Sequence, residues 1–333
     1  MAHHPKIAVA GAGSVGCYVG GCLALDGRDV TLLARPRIVE AAGRGLRITD
    51  YEGRDRVLPP GKITATSDPR QALAGAGVVL VTVKSGQTRE MAALIGSHAP
   101  PEAVIVSLQN GVENADRIAA VLGSGRVVVP GMVPFNVVQS PVRFHRGTEG
   151  AMTVRSGHGL AATLGVEGLP AREVEDMAQV LWGKLLLNLN NALNALSGRP
   201  LADQLSDRAW RRLLADQMDE ALAAMAAADI KPAALAGVAP ALVPPVLRLP
   251  NWLFRRVARR MLAIDPEARS SMWEDLERRR PTEIDELQGA IRRLGLVHGV
   301  PVPLTTRIME LVRAAEAAEA RPPGLGPNQI RPA

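Results

Sequence analysis

Five short runs of aliphatic and β-branched residues, KIAVAGAG, DVTLLAR, GVVLVTVK, AVIVSLQNG and RVVVPGMVPF, recur through the first 135 residues, with turn or helix patterns between them. No other feature constrains the fold so tightly. Strands this short and this apolar are buried on both faces, and helical segments between them make the connections right-handed crossovers. The pattern predicts an α/β chain opening with a Rossmann-type, doubly wound parallel sheet. Further strands between residues 142 and 175, around PVRFHRGTEGAMTV, are expected to close that domain.

From Asp176 the chain turns into long Ala/Leu/Arg-rich helical patterns, so the second domain is expected to be all-helical. The predicted boundaries are 1–175 for the dinucleotide-binding domain, 176–320 for a helical substrate and catalytic domain, and 321–333 for a poorly ordered tail. A length of 333 residues suits two cores better than one.

Charge narrows the partners. The net charge is +6, yet aromatics make up only 3% of the chain, and the basic clusters Arg255-Arg256…Arg259-Arg260 and Arg278-Arg279-Arg280 lie among apolar or acidic residues. Without stacking aromatics along a basic stripe, nucleic acid is not the expected partner; a small anionic substrate or a phosphate-bearing cofactor is. Cys17 and Cys22 fall in one predicted helix and make neither a disulfide framework nor a metal-ligand spacing. The first residues lack a signal-peptide pattern, and the most apolar later stretch, ALAGVAPALVPPVLRLPNWLF, is interrupted by prolines. A cytoplasmic protein with no membrane span is expected. The Pro-rich segment 230–266 could serve as a dimer surface, a lid or plain packing, so a homodimer stands as one expectation among these.

Gly11-Ala12-Gly13-Ser14-Val15-Gly16 fits G-x-G-x-x-G between the strand KIAVA and the helix VGCYVGGCLAL. In that context the glycines allow a tight turn, a close approach of backbone to a pyrophosphate and close helix packing, and the helix N-terminus faces the phosphates. A ligand-free tight turn is the alternative. The second strand runs into Arg35 where an NAD site usually has an acid, and arginine suits the 2′-phosphate of NADPH/NADP+; the alternative is a surface arginine. Lys84 and Asn110 follow the ends of two more strands, where open parallel sheets meet their ligands, or where a residue can simply cap a loop.

The segment LWGKLLLNLNNALNAL, residues 181–196, sets a lysine and four asparagines in an apolar helix. At about 100° per residue, Lys184, Asn188 and Asn191 share an arc of roughly 60°, while Asn190 and Asn194 point to one side. Only five of the 39 basic residues are lysines, so a lysine here is an exception in an arginine-preferring chain. Such a stripe needs partners, because a buried polar group left unpaired costs about 1–3 kcal/mol.

GAGSVG, TVKSGQ, QNGVEN, LWGKLLLN and SSMWEDLERRRPTEIDELQG stand in the order and spacing of the ketopantoate reductases (2-dehydropantoate 2-reductases), a family the chain resembles over nearly its whole length. The resemblance implies NADPH-dependent reduction of 2-dehydropantoate to pantoate, within pantothenate and coenzyme A synthesis. It implies Lys184 as the catalytic residue and as a substrate contact, Glu283 beside lysine, substrate and nicotinamide ribose, Asn188 as a substrate contact and Ser271 on the substrate carboxylate. On the cofactor side it implies Asn110 and Lys84. Lysine suits proton delivery because, unlike arginine, it can release its proton. From the residues alone, Glu283 could instead be a helix N-terminal acid after Pro281-Thr282, and Ser271 a helix cap.

The chain also departs from the family pattern. Ala192 stands eight residues after the lysine where many members have asparagine, Ala268 stands three before the serine where asparagine is frequent, and Gln288-Gly289 replaces Asn-Gly. These changes touch the substrate side more than the cofactor side. They leave open a paralogous reductase of another branched 2-keto acid, and, from another functional class, a module that senses NADP(H) without turnover.

Overall fold

Each of the five apolar runs becomes a strand in the computed structural model, which describes residues 4–234, 237–259, 267–319 and 321–331. The chain divides into two units, 1–177 and 178–333. The strands of the first unit are β1 (Ile7–Ala10), β2 (Val30–Leu33), β3 (Leu46–Asp50), β4 (Asp55–Leu58), β5 (Thr64–Thr66), β6 (Val78–Val81), β7 (Val104–Ser107), β8 (Val128–Met132), β9 (Val137–Gln139), β10 (Arg143–Arg146), β11 (Met152–Arg155) and β12 (Ala171–Val174). Its helices are α1 (Ser14–Leu25), α2 (Pro36–Arg44), α3 (Pro69–Leu73), α4 (Thr88–His98), α5 (Asn114–Leu122) and α6 (Leu160–Leu164).

The main sheet has eight strands in the order β12-β11-β8-β7-β6-β1-β2-β5. The five apolar runs are its contiguous, all-parallel centre, β8-β7-β6-β1-β2. Every residue of β1, β2 and β6 is buried, as strands covered on both faces require. The expected strands after residue 142 are present: β11 runs antiparallel to β8 and carries β12 parallel at the edge.

A second, four-stranded sheet, β4-β3-β10-β9, lies outside the sequence expectation. It explains why α1, SVGCYVGGCLAL, is apolar nearly all round, the pattern of a helix with no face left to water. A Cβ on Gly20 would come within 2.7 Å of Leu32 in the main sheet, and one on Gly21 within 2.5 Å of Ile48 in the second. The paired glycines let α1 sit close to both. Arg146 on β10 is buried with its guanidinium beside Asp50 and Glu52, donates to the carbonyl of Gly168 and lies over the Phe135 ring, while Tyr18 of α1 donates to the same carbonyl. Cys17 and Cys22 are free thiols buried in α1.

The described elements of the second unit are all helical: α7 (Met177–Asn188), α8 (Asn190–Ser197), α9 (Leu201–Ser206), α10 (Arg208–Ala227), α11 (Val243–Leu247), α12 (Asn251–Val257), α13 (Ser271–Glu277), α14 (Gln288–His298), α15 (Pro303–Ala317) and α16 (Pro327–Ile330). Among the described residues no helix is long and apolar enough to cross a membrane. Of the Pro-rich segment, residues 235–236 and 260–266 lie outside the described residues; α11 and α12 are fastened to α10 by Arg211. That fully buried guanidinium donates to the carbonyls of Leu205, Ser206, Leu247 and Leu249 and to Asn251 Oδ1, and stacks on Phe254.

As far as residue 331 the tail departs from its expected disorder, and residues 332–333 lie outside the described residues. Leu325 N–H donates to the Leu196 carbonyl at 2.9 Å, and Ile330 of α16 is completely buried. One large apolar side chain with a backbone bond is enough to dock a segment whose composition reads as disordered.

Candidate active site

Arg35, Gly11–Gly16, Lys84 and Asn110 stand just beyond the carboxyl ends of β2, β1, β6 and β7, four neighbours in the main sheet. The glycines divide the work among them. Gly11 has φ +89°, and a Cβ there would fall 2.1 Å from Val83 Cγ1; one on Gly16 would fall 2.5 Å from Thr82 Oγ1. Protein atoms therefore account for those two. A Cβ on Gly13 meets nothing within 4 Å, so no protein atom accounts for a glycine there. Gly13 is the N-cap of α1, with no side chain capping the helix and no acid in its first turn. Open amides at that point suit a pyrophosphate. Ala12 is buried and Val15 packs into the core, while Ser14 Oγ donates to Gln139 of β9 at 3.3 Å. Arg35 is exposed at the N-cap of α2, whose first turn also holds no acid. This set fits a dinucleotide that carries an additional phosphate on the ribose.

Lys84 and Asn110 belong to two loops joined by a buried amide and hydroxyl network that sequence reading missed. Asn114 Nδ2 donates to Ser85 Oγ at 2.9 Å, Thr88 Oγ1 to Asn114 Oδ1 at 3.0 Å, and Gln109 Nε2 to Thr88 Oγ1 at 2.7 Å and to the Val83 carbonyl at 3.1 Å. Ser85 Oγ in turn donates to the Asn110 carbonyl at 3.2 Å. The polar residues packed into TVKSGQT and QNGVEN were the available signal: so many amides and hydroxyls at two neighbouring strand ends have to satisfy one another.

In the second unit the segment LWGKLLLNLNNALNAL forms two helices, not one. They meet at Leu189, whose carbonyl accepts the Nε2 proton of the fully buried Gln288 on α14 at 2.9 Å. Lys184 lies in the second half of α7, and Asn188 follows one turn later as its last residue, both half-buried. The glycine before the lysine has a local cause: a Cβ on Gly183 would fall 2.8 Å from the Ala233 carbonyl, and Ala233 N–H donates to the Gln179 carbonyl at 2.8 Å. The backbone around Ala233 thus lies directly on α7 beside Lys184.

Burial pushes the Lys184 ammonium down from its usual 10.5 to about 8, with the Glu283 carboxylate acting in the opposite direction. Although the side chain retains some accessible surface, the protein around the ammonium is dense enough to disfavour its charge. Glu283 is not a helix N-terminal acid: a turn intervenes and α14 starts only at Gln288, with no acid in its first turn. Its carboxylate is instead close enough to Lys184 to act on it electrostatically. Ser271 is not the helix cap either. Ser270 caps α13, its Oγ accepting from Trp273 N–H at 3.1 Å, and Ser271 stands exposed as the first residue of the helix. Ala192 is fully buried. Among the described residues no group of His, Cys, Asp and Glu could hold a metal ion.

The sequence profiles of ketopantoate reductase PanE/ApbA match residues 7–159, and those of its C-terminal part match residues 176–316. A 2-dehydropantoate 2-reductase of Mesorhizobium japonicum is 29% identical over 92% of this chain and 97% of its own. The solved structure of a PanE/ApbA family ketopantoate reductase from Ralstonia eutropha JMP134 superposes with a TM-score of 0.80 at 33% identity, covering 94% of this chain and 99% of that one. A 2-dehydropantoate 2-reductase structure from Geobacter metallireducens gives 0.77 at 26% identity, covering 93% and 99%.

Proposed function

The chain belongs to the ketopantoate reductase PanE/ApbA family, and from that premise we propose that it reduces 2-dehydropantoate to pantoate with NADPH, in the cytoplasm, as a step toward pantothenate. The observation that carries the reading is Lys184, a lysine on an apolar helix in a chain that otherwise prefers arginine, with its pKa pushed to about 8 and a carboxylate near it. When bound, the dinucleotide supplies the hydride.

Reduction places negative charge on the carbonyl oxygen, and Lys184 Nζ stabilises that charge and gives it a proton. With a pKa of about 8 the amine is mostly protonated near neutrality, yet close enough to it to release the proton readily. Lys184 is left neutral and takes its next proton from solvent. Glu283 favours the charged form of Lys184, because its electrostatic pull opposes the desolvation. Asn188, one turn along α7, and Ser271, at the start of α13, are the proposed substrate contacts, the latter for the carboxylate. Gly11–Gly16 with Arg35, Lys84 and Asn110 are the proposed dinucleotide contacts.

The test is loss of NADPH absorbance with 2-dehydropantoate against a panel of 2-keto acids. Turnover is expected with 2-dehydropantoate, and kcat/KM should fall about tenfold per pH unit above about 8. Lys184→Ala should lower kcat by roughly 10²–10⁴ and leave NADPH affinity intact. Near-normal turnover in that variant would remove Lys184 from the chemistry. A second reading, another branched 2-keto acid, is favoured by Ala192 and Ala268 at positions where the family pattern has asparagine; the same panel separates the two by their kcat/KM values, and no turnover with any acid would favour an NADP(H) sensor.

A further inference from the structure

Ser271 owes its position to a neighbour that the reaction itself does not require. Residues 268–270 lie along 191–201, held there by a set of hydrogen bonds. Leu201 N–H donates to the Ala268 carbonyl at 2.9 Å, Ser270 Oγ to the Asn191 carbonyl at 3.0 Å, and Ser270 N–H to Asn194 Oδ1 at 2.9 Å. Asn194 is completely buried, and its whole amide is engaged: Nδ2 donates to the Arg199 carbonyl at 2.9 Å and to Gln204 Oε1 at 3.0 Å. Gln204, also buried, passes the chain of bonds on to Asn190 Oδ1 at 3.1 Å.

Both polar handles of Ser270 are thus committed to α8, while its Oγ also caps α13. These bonds tie the start of α13 to α8, and Ser271 is the next residue. Ala268 contributes only its carbonyl to this arrangement, accepting from Leu201 N–H.

We infer that Asn194 is a positioning residue for substrate affinity: acting through Ser270, it fixes where Ser271 Oγ stands relative to α8, and so sets the hold on the substrate carboxylate without touching it. The inference rests on the reading of Ser271 given above. An alanine at 194 leaves Ser270 N–H and Gln204 Oε1 without their partner in a site closed to water, and the start of α13 loosens. An aspartate keeps the acceptor for Ser270 N–H but loses both donors, so it costs stability while preserving the hold on α13.

Steady-state kinetics, NADPH titration and thermal melts of Asn194→Ala, Asn194→Asp, Ser270→Ala and Ser271→Ala test this. Asn194→Ala should raise KM for the keto acid about tenfold while kcat changes less than about threefold and the Kd for NADPH is unchanged, the signature of lost substrate binding. Asn194→Asp should return KM to within about threefold of wild type even though both variants melt earlier. Ser270→Ala, which leaves Asn194 in place but removes the Oγ bonds, should also raise KM. In the double variant Asn194→Ala/Ser271→Ala, KM should be no higher than in Ser271→Ala alone. If KM follows Tm across Asn194→Ala and Asn194→Asp alike, or if the double variant shows the full product of the single effects, the positioning role is overturned. If Ser271→Ala itself leaves KM at the wild-type value, the Ser271 contact fails and takes the inference with it. A raised KM in Ser271→Ala beside normal values in Asn194→Ala and Ser270→Ala overturns the Asn194 role alone.

Discussion

Replacing Lys184 with methionine, a side chain of similar length and no charge, tests the electrostatic premise of the site through stability, independently of turnover. The folded ammonium has a pKa of about 8 against an ordinary 10.5, chiefly because it is buried. At ~1.4 kcal/mol per pH unit that gap corresponds to ~3 kcal/mol by which folding disfavours the charged form. Lys184 keeps part of its surface in water, and solvent screening brings the expected size nearer ~2 kcal/mol. The folded value lies below the unfolded one, so between about pH 8 and 10.5 the unfolded chain holds a proton that the folded protein has lost. Stability contributed through this group therefore rises with pH across that window, and below about pH 8 the penalty is present in full. The Cys17 and Cys22 thiols, both pushed up to about 12 by burial, act with the opposite sign above about pH 9, but they are common to both proteins and cancel in the comparison. Urea unfolding of wild type and Lys184→Met from pH 7 to 10.5 should show the variant more stable by ~2 kcal/mol at pH 7, with the margin closing toward the alkaline end. Parallel stability curves, or a variant less stable at pH 7, would refute the depressed pKa and with it the account of how Lys184 holds a transferable proton.

The cofactor side yields two further predictions. Gly13→Ala should leave Tm within a few degrees of wild type yet weaken NADPH binding at least tenfold, because a Cβ there meets no protein atom; Gly11→Ala should cost several kcal/mol of stability, since its Cβ would overlap Val83 at a φ of +89°. Isothermal titration beside thermal melts separates the two, and equal loss of stability in both variants would contradict the division among the glycines. Arg35→Ala should raise the KM for NADPH by about tenfold or more while sparing NADH, as removal of a charge-assisted phosphate contact requires; equal effects on both dinucleotides would return Arg35 to the solvated surface.

How far the sequence could be read depended on where each residue's partners lie. The central strands were legible because burial on both faces writes itself into an unbroken apolar run: β1, β2 and β6 have no exposed residue at all. The second sheet was not, because LRITD, DRVL and VVQ are three to five residues long and partly polar, and three of the four residues of β4 face water. Their pairing is decided instead by α1, whose Gly21 leaves room for Ile48. Glu283 shows the same limit in the site. Pro281-Thr282-Glu283 has the local chemistry of a helix start, yet Thr282 N–H donates to Glu316 on α15 at 2.7 Å and α14 begins five residues beyond Glu283. A contact distant in sequence displaces the local preference.

The asparagines of the second unit take that argument one step further. On a single helix Lys184, Asn188 and Asn191 form one stripe while Asn190 and Asn194 lie to its side, and periodicity separates the two groups. It assigns no purpose to the second group, because the partner that explains Asn194 is the Ser270 amide, 76 residues away. Nor does it anticipate that the helix is interrupted at Leu189, where the side chain of Gln288 arrives from 99 residues further along the chain. The residues proposed to meet the substrate are recognisable through the family resemblance, which matches them by type and position. The residues that hold them are recognisable only by what they satisfy. A buried amide such as Asn194 carries no chemistry of its own for the reaction, and its constraint is the cost of leaving Ser270 N–H, the Arg199 carbonyl and Gln204 Oε1 unpaired in a site closed to water.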